Sequence, residues 1–231
     1  MVGLGGGLLF SPLFTLLEFE KSMVASTSLF LNLIGAASAA SIYMQRKMVD
    51  YSVALPLLTG GISAPFGAIA NQHINTQTFI LILAIVVLFG AIRMLFAPQG
   101  EVVDQQESTF KKAVGSAVIG LAIGFMGGLL GIGGGVFIVP LLIYVLKVPT
   151  KIAAASNTLI VCLSSFTGFV THASISTINW SFILFAAVFA FVGGQLGSRL
   201  MSQKLQGHTV RYIFAGVLFF MSARLMYKIL L

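Results

Sequence analysis

Long apolar segments, separated by short polar stretches, follow one another along nearly the whole chain. Most approach the ~20 residues that a helix needs to cross the ~30 Å hydrocarbon core of a membrane. Only 8% of the residues are charged, compared with about 25% in soluble domains, so a soluble globular fold is excluded. The sequence therefore predicts an all-α, polytopic membrane protein. The apolar segments are residues 8–17, 23–44, 52–71, 76–97, 113–130, 134–147, 152–172, 179–201 and 209–230.

Two of these segments, 8–17 and 134–147, are too short to cross a membrane as a straight helix. At about 1.5 Å per residue, a fourteen-residue helix covers about 21 Å of the ~30 Å hydrocarbon core. We expect both segments to be re-entrant, tilted or enclosed within the helix bundle.

A glycine-rich motif directly precedes each of these short segments. Residues 3–12 read GLGGGLLFSP, and residues 131–140 read GIGGGVFIVP. Further matches follow at offsets of up to 131 residues, including ASTSL at 25–29 with ASNTL at 155–159. The chain is therefore an internal duplication. We assign residues 1–97 to membrane repeat one, 98–112 to a cytoplasmic linker and 113–231 to membrane repeat two.

The two repeats differ at their start. Repeat two has an apolar segment at 113–130 ahead of its glycine motif, whereas repeat one begins almost at the motif. We interpret the first helix of repeat one, about eighteen residues, as missing from this sequence. A start codon placed too far downstream explains this better than a naturally shortened protein.

The distribution of Lys and Arg predicts the orientation in the membrane. Ten of the thirteen fall in loops that we assign to the cytoplasm, which leaves Lys21, Arg224 and Lys228 outside. With this orientation each repeat crosses the membrane an odd number of times, so repeat two is inserted upside down relative to repeat one. Inverted repeats place a substrate site near the midplane, between the repeats, and exchange their conformations in alternating access.

The glycine motifs are poor helix formers, since each glycine costs about 1 kcal/mol relative to alanine in a helix. They allow positive φ and a close approach of the backbone to a ligand. Free N–H groups at the start of each short helix, with the positive end of the helix dipole, suit an anion. Tight helix crossing is the alternative explanation, but two copies favour a binding site. The candidate ligands are Gly5, Gly6, Gly7, Gly133, Gly134 and Gly135.

Polar side chains follow each motif. The clusters are Ser26, Thr27, Ser28 and Asn32 in repeat one, and Ser156, Asn157 and Thr158 in repeat two. We interpret them as neutral donors to a small oxyanion, with Asn157 preferred, whereas capping and hydrogen bonds between helices are an equally weighted alternative. Gln195 is a further candidate ligand, and Pro65 is expected to kink its helix.

Several function classes lack the residues they require. All six carboxylates lie in or beside loops, which excludes a carboxylate proton relay and favours an anion pathway. Cys162 is the single cysteine, and no Cys/His, Ser/His/Asp or metal-spaced cluster occurs, so we expect no enzyme, no metal site and no other cofactor. The net charge of +7 comes from loops between apolar segments, which indicates membrane orientation rather than nucleic-acid binding.

The paired glycine motifs, each followed by a proline and an Ala-Ser-Thr/Asn-Ser/Thr-Leu cluster, resemble the TauE/SafE family of sulfite and organosulfonate transporters. The likeness covers nearly the whole chain, and the missing first helix departs from the family pattern. The resemblance implies a multi-pass permease of the bacterial or archaeal inner membrane. It also implies a substrate such as sulfite, thiosulfate or a sulfonate, often moved in export.

Two transport mechanisms are compatible with these patterns. A secondary carrier that works by alternating access is our leading hypothesis, and an anion channel with a fixed glycine-lined filter is the alternative. We expect a small anionic substrate and the lipid bilayer as partners. The sequence leaves the coupling ion, the direction of transport and the oligomeric state open.

Overall fold

The computed structural model describes residues 7–96, 109–135, 138, 141–142, 150–175, 180–203 and 207–230. All regular secondary structure in these ranges is helical, which confirms the prediction of an all-α polytopic protein. The helices are α1 (Gly7–Leu16), α2 (Lys21–Gln45), α3 (Tyr51–Leu57), α4 (Thr59–His73), α5 (Thr76–Phe96), α6 (Thr109–Leu130), α7 (Thr150–Ile175), α8 (Trp180–Gln203) and α9 (Gly207–Leu230).

Five spans in the described residues are long and apolar enough to cross a membrane. They are Lys21–Gln45, Tyr51–His73, Thr76–Arg93, Ala113–Leu130 and Ala155–Ile175. Shorter apolar helices occupy Gly7–Leu16 and Trp180–Leu196. Most of the predicted linker 98–112 and most of the predicted short helix 134–147 lie outside the described residues.

The predicted segment 52–71 forms two helices, α3 and α4, which meet at Leu58. The Asp50 side chain caps α3 by accepting a hydrogen bond from Ser52 N at 2.9 Å. Pro56 lacks an N–H group and disfavours helix continuation, and the helix is interrupted two residues later. The helical assignment of α4 continues through Pro65, so the interruption of this span is at Leu58.

Small residues bring α4 and α6 into close backbone contact. A Cβ atom added to Gly124 would overlap the carbonyl of Gly60, and one added to Gly128 would overlap the carbonyl of Ala64. The paired residue numbers rise together, so α4 and α6 run parallel. Here the glycines serve helix crossing, as small residues commonly do in membranes.

Helices α2 and α7 cross in opposite directions near the centre of the bundle. The rings of Phe30 and Phe169 lie 4.9 Å apart, and Asn32 contacts Ser165, so rising numbers on one helix meet falling numbers on the other. Helix α8 packs on the other end of α2, where Ser38 Oγ donates to the Phe191 carbonyl at 3.3 Å.

Large apolar side chains cover much of the outer surface of the bundle. Phe66, Phe185, Phe189 and Phe220 are each more than 60% exposed. In water such a surface would be an association site, whereas in a membrane it contacts lipid. The distribution of apolar residues on the outside therefore agrees with a multi-pass membrane protein.

Candidate functional site

The backbone leaves the helical path directly after Leu130. Gly131, Gly133 and Gly134 have positive φ values of 73°, 69° and 78°, which side-chain-bearing residues rarely adopt. Helical backbone resumes at Gly135. We call residues 131–134 the glycine break.

Side chains from neighbouring helices satisfy the carbonyl groups that the end of α6 leaves free. Asn71 Nδ2, from α4, donates to the Leu129 carbonyl at 2.7 Å. His172 Nε2, from α7, lies 3.0 Å from the Gly128 carbonyl, and the His172 side chain is 1% exposed. Because a helix end leaves its last carbonyls without intrahelical donors, these side chains allow α6 to end inside the protein.

Further side chains bind the carbonyls of the glycine break itself. Ser164 Oγ donates to the Gly133 carbonyl at 3.1 Å. Asn157 Nδ2 donates to the Gly135 carbonyl at 3.3 Å. The amide nitrogen of Asn157 therefore makes a hydrogen bond between segments, as the alternative interpretation of this cluster expects.

Asn32 joins the two glycine motifs. Its Nδ2 donates to the Ile132 carbonyl at 3.1 Å and to Ser165 Oγ at 3.0 Å, and its Oδ1 accepts from Gly7 N at 3.1 Å. Asn32 is the twelfth of the 25 residues of α2, so this contact lies near the middle of a spanning helix.

The backbones of the two motifs also touch directly. A Cβ atom added to Gly7 would overlap the carbonyl of Ile132. A Cβ atom added to Gly133 would overlap Asn32 Nδ2, and one added to Gly131 would lie 2.7 Å from Ala25 Cα. We call this meeting point of α1, α2 and the glycine break the glycine junction.

Several hydroxyl groups on the helices that contact the junction are buried without a hydrogen-bond partner among the described residues. They belong to Ser11, Thr27, Ser28 and Ser156, and each of these residues is 0% exposed. Ser26 is equally buried, but its Oγ donates to the Met23 carbonyl at 3.2 Å. Thr158 is also buried. Buried polar groups without partners are few in proteins and call for an explanation.

The other predicted site residues are distributed unevenly. Gln195 Nε2 lies 3.4 Å from the Ser38 carbonyl, six residues or about 9 Å along α2 from Asn32, so the structure does not bring Gln195 to the junction. Gly134 faces α6, because an added Cβ would lie 2.7 Å from the Ile123 side chain. Gly5 and Gly6 lie outside the described residues.

Sequence reasoning missed several residues that build this region, namely Ser11, Lys21, Asn71, Ser164, Ser165 and His172. The Nζ atom of Lys21 contacts the carbonyl oxygens of Asn71 and Ile74, both at 2.5 Å, at the end of α4. A polar residue inside or at the end of a long apolar segment was the available signal. It did not indicate which backbone carbonyl each side chain would reach.

Comparisons with known proteins indicate a membrane transporter. A family model described as "Sulfite exporter TauE/SafE" matches residues 1–225. The "Probable membrane transporter protein YunE" of Bacillus subtilis (strain 168) is 28% identical, over 99% of this chain and 92% of the relative. A "Probable membrane transporter protein" of Methanocaldococcus jannaschii is 24% identical, over 94% of this chain and 86% of the relative. No solved structure matches the chain significantly.

Proposed function

Because the chain belongs to the TauE/SafE family of membrane transporters, we propose that it carries a small sulfur-containing anion across the membrane by alternating access. The substrate class is sulfite, thiosulfate or an organosulfonate, and export is the proposed direction. The membership identifies the chain as a multi-pass membrane transporter. Substrate, direction and mechanism are the proposal.

The single observation that carries the proposal is the meeting of both glycine motifs at Asn32. Non-helical backbone inside a membrane is tolerated only where protein or a water-filled cavity satisfies it. Transporters use such breaks, near the midplane, to bind substrate. The glycine junction supports such a site, because it joins one motif from each half of the chain near the middle of α2 and buried hydroxyl donors lie on the helices that contact it.

The charges near the junction support an anion. The carboxylates in the described residues, Glu18, Glu20 and Asp50, lie outside the helices, in connecting loops or at helix starts. Lys21, in contrast, reaches the end of α4 beside the break. A cation pathway requires acidic side chains or carbonyl rings, whereas the carbonyls of this break already accept hydrogen bonds from protein side chains.

The packing of the helices supports inverted repeats. Helices α2 and α7 occupy matching places in the two halves of the sequence, and they cross in opposite directions. In addition, α2 packs on α8. The counterpart of α2 in the other half is α7, the counterpart of α8 is α4, and α7 packs on α4. An inverted duplication produces antiparallel counterpart helices and equivalent helix contacts in both halves.

The closed contact at the junction favours a carrier over the alternative, an anion channel with a fixed filter. Gly7 abuts Ile132, and Asn32 binds both motifs, so an ion can pass the junction only after these contacts open. A carrier opens such contacts on one side at a time. The names of the family and of its relatives indicate transport rather than catalysis.

We expect purified protein in proteoliposomes to take up sulfite or an organosulfonate with saturable kinetics that depend on a counter-ion. Asn32→Ala should reduce this flux at least tenfold, because it releases both glycine motifs. Ser41→Ala is the matched control on the same helix, since its hydroxyl donates to Ser38 O away from the junction. Conductance near diffusion rates would support the channel, and no flux of any sulfur anion would overturn the proposed function.

A further inference from the structure

Two of the unpartnered hydroxyl groups, those of Ser11 and Ser28, belong to the helices that contact the glycine break. A Cβ atom added to Gly131 would lie 3.1 Å from Ser11 Oγ and 2.7 Å from Ala25 Cα. Ser28 is three residues after Ala25 and four before Asn32, so it shares their face of α2. Ser11 from α1 therefore lies against Gly131, and Ser28 lies on the face of α2 that contacts the glycine break.

These hydroxyls differ from the other polar groups of the junction in what they already bind. The amide nitrogens of Asn32, Asn71 and Asn157 all donate to backbone carbonyls. Ser11 and Ser28 are fully buried, and their hydroxyls have no partner among the described residues. A buried hydroxyl that donates to nothing is unfavourable, and an acceptor oxygen from a ligand would satisfy it.

One positive charge lies on the same helix as Ser28. Lys21 is one helical turn before Ala25, about 10 Å along α2 from Ser28, and its Nζ contacts carbonyl oxygens rather than a carboxylate. Among the described residues no carboxylate pairs with Lys21, since Glu18 pairs with Lys228 at 3.6 Å and the side chain of Glu20 is exposed. The two helices thus offer two hydroxyl donors and, about two turns along α2 from Ser28, one cation.

We propose that Ser11 and Ser28 bind the oxygens of a singly charged oxyanion, with Lys21 supplying the balancing charge. This inference rests on the proposed transport function and narrows its substrate class. The cost of removing an ion from water rises with the square of its charge in continuum electrostatics, and an unpaired buried charge is expensive. A doubly charged anion would leave one charge unbalanced here. The site therefore takes a monoanionic sulfonate or hydrogensulfite in preference to sulfate or thiosulfate.

The test compares methanesulfonate with sulfate, at equal ionic strength, on the full-length protein in detergent. Binding is measured by the shift in apparent melting temperature over a concentration series, since a ligand of the folded state raises stability. We expect methanesulfonate to bind at least tenfold more tightly than sulfate. Equal or tighter binding of sulfate would overturn the inference.

The serine variants test the inference by two quantities, the affinity for methanesulfonate and the melting temperature without ligand. Ser28→Ala and Ser11→Ala should each weaken methanesulfonate binding about fivefold to tenfold. Without ligand, the same variants should melt at the same temperature as the parent or slightly higher, because each removes an unsatisfied buried hydroxyl. Ser41→Ala, whose hydroxyl is bonded, is the control that should leave methanesulfonate binding unchanged. Unaltered methanesulfonate binding in both serine variants would remove these residues from the site.

The Lys21 variants test whether the charge of this side chain, rather than its packing, supports binding of the anion. Lys21→Gln should weaken methanesulfonate binding about tenfold, because the bound monoanion then lacks its balancing charge, whereas Lys21→Arg should keep the affinity of the parent protein. If neither Lys21 variant can be purified, the comparison of anions on the parent protein still decides the charge preference. Failure of the parent to bind any of these anions would instead count against the proposed function. Binding of both anions without preference would count only against this inference.

Discussion

At Gly133, both the backbone conformation and the space available for a side chain require glycine. Its φ of +69° favours glycine, and a Cβ atom would overlap the amide nitrogen of Asn32. Either effect alone would restrict the position. Together they keep the second glycine motif against the middle of α2, where Asn32 also holds Gly7 of the first motif.

We expect Gly133→Ala to lower the free energy of unfolding by about 2 kcal/mol or more, because left-handed backbone costs about 1–2 kcal/mol for alanine and Asn32 must shift as well. Gly193→Ala is the matched control, since Gly193 lies within α8 and an added Cβ meets nothing within 4 Å. The control should be neutral or stabilise by up to about 1 kcal/mol, as alanine does in a helix. The measurement is unfolding in detergent followed by circular dichroism. Similar losses in both variants would contradict a special role for Gly133.

At the scale of single residues, the sequence predicted the non-helical glycines of the second motif but not the partners of the asparagines. Asn157 was preferred as a ligand of the substrate, and its Nδ2 donates to the Gly135 carbonyl. An amide in an apolar segment satisfies either a ligand or a freed carbonyl, and its sequence position is the same in both cases. Only the three-dimensional path of residues 131–135 distinguishes the two.

At the scale of elements, the thickness of the membrane made the lengths of the spanning helices predictable from the sequence. Because a spanning helix needs about 20 apolar residues, the predicted segments 23–44, 76–97 and 152–172 lie within three residues of α2, α5 and α7 at each end. The division between α3 and α4 was not predicted, since apolar residues continue across Leu58. The periodic glycines Gly120, Gly124 and Gly128 were visible in the sequence, but their partner helix was not.

The contact between α4 and α6 depends on those glycines. We expect Gly128→Val to abolish correct folding, because its Cβ would overlap the carbonyl of Ala64 and force the two helices apart. Gly216→Val is the control, as an added Cβ there meets nothing within 4 Å. Size-exclusion chromatography of detergent extracts should show a monodisperse peak for the control and aggregate for Gly128→Val. A monodisperse Gly128→Val protein would show that the crossing can widen without loss of the fold.

At the scale of the whole molecule, the placement of Lys and Arg predicts the orientation in the membrane. The predicted cytoplasmic loop around Arg46 and Lys47 lies at one end of α2, and the predicted external loop around Glu18 and Glu20 lies at the other. A helix of 25 residues is about 37 Å long, enough to separate these loops across a membrane. Opposite sides for these loops are therefore expected.

The single cysteine makes this topology accessible to experiment. In a Cys162→Ser background, we expect Glu20→Cys to react with a membrane-impermeant maleimide on intact cells. Lys47→Cys should react only after the membrane is permeabilised, since it lies at the opposite end of α2. Labelling intensity on gels provides the readout. The reverse pattern would invert the predicted orientation while leaving the fold unchanged.

The hydrogen bonds of Asn32 bear on the relative free energies of the inward-open and outward-open states of a carrier. At the offset of 130 residues that aligns Ala25 with Ala155, the counterpart of Asn32 is Cys162, which lacks an amide. A perfectly symmetric pair of halves would make inward-open and outward-open states equal in free energy. Each unmatched hydrogen bond, worth about 1 kcal/mol, shifts that ratio about fivefold. If the protein works by alternating access as proposed, we therefore expect one of the two states to be favoured at rest, because only one half of the duplication contains this asparagine.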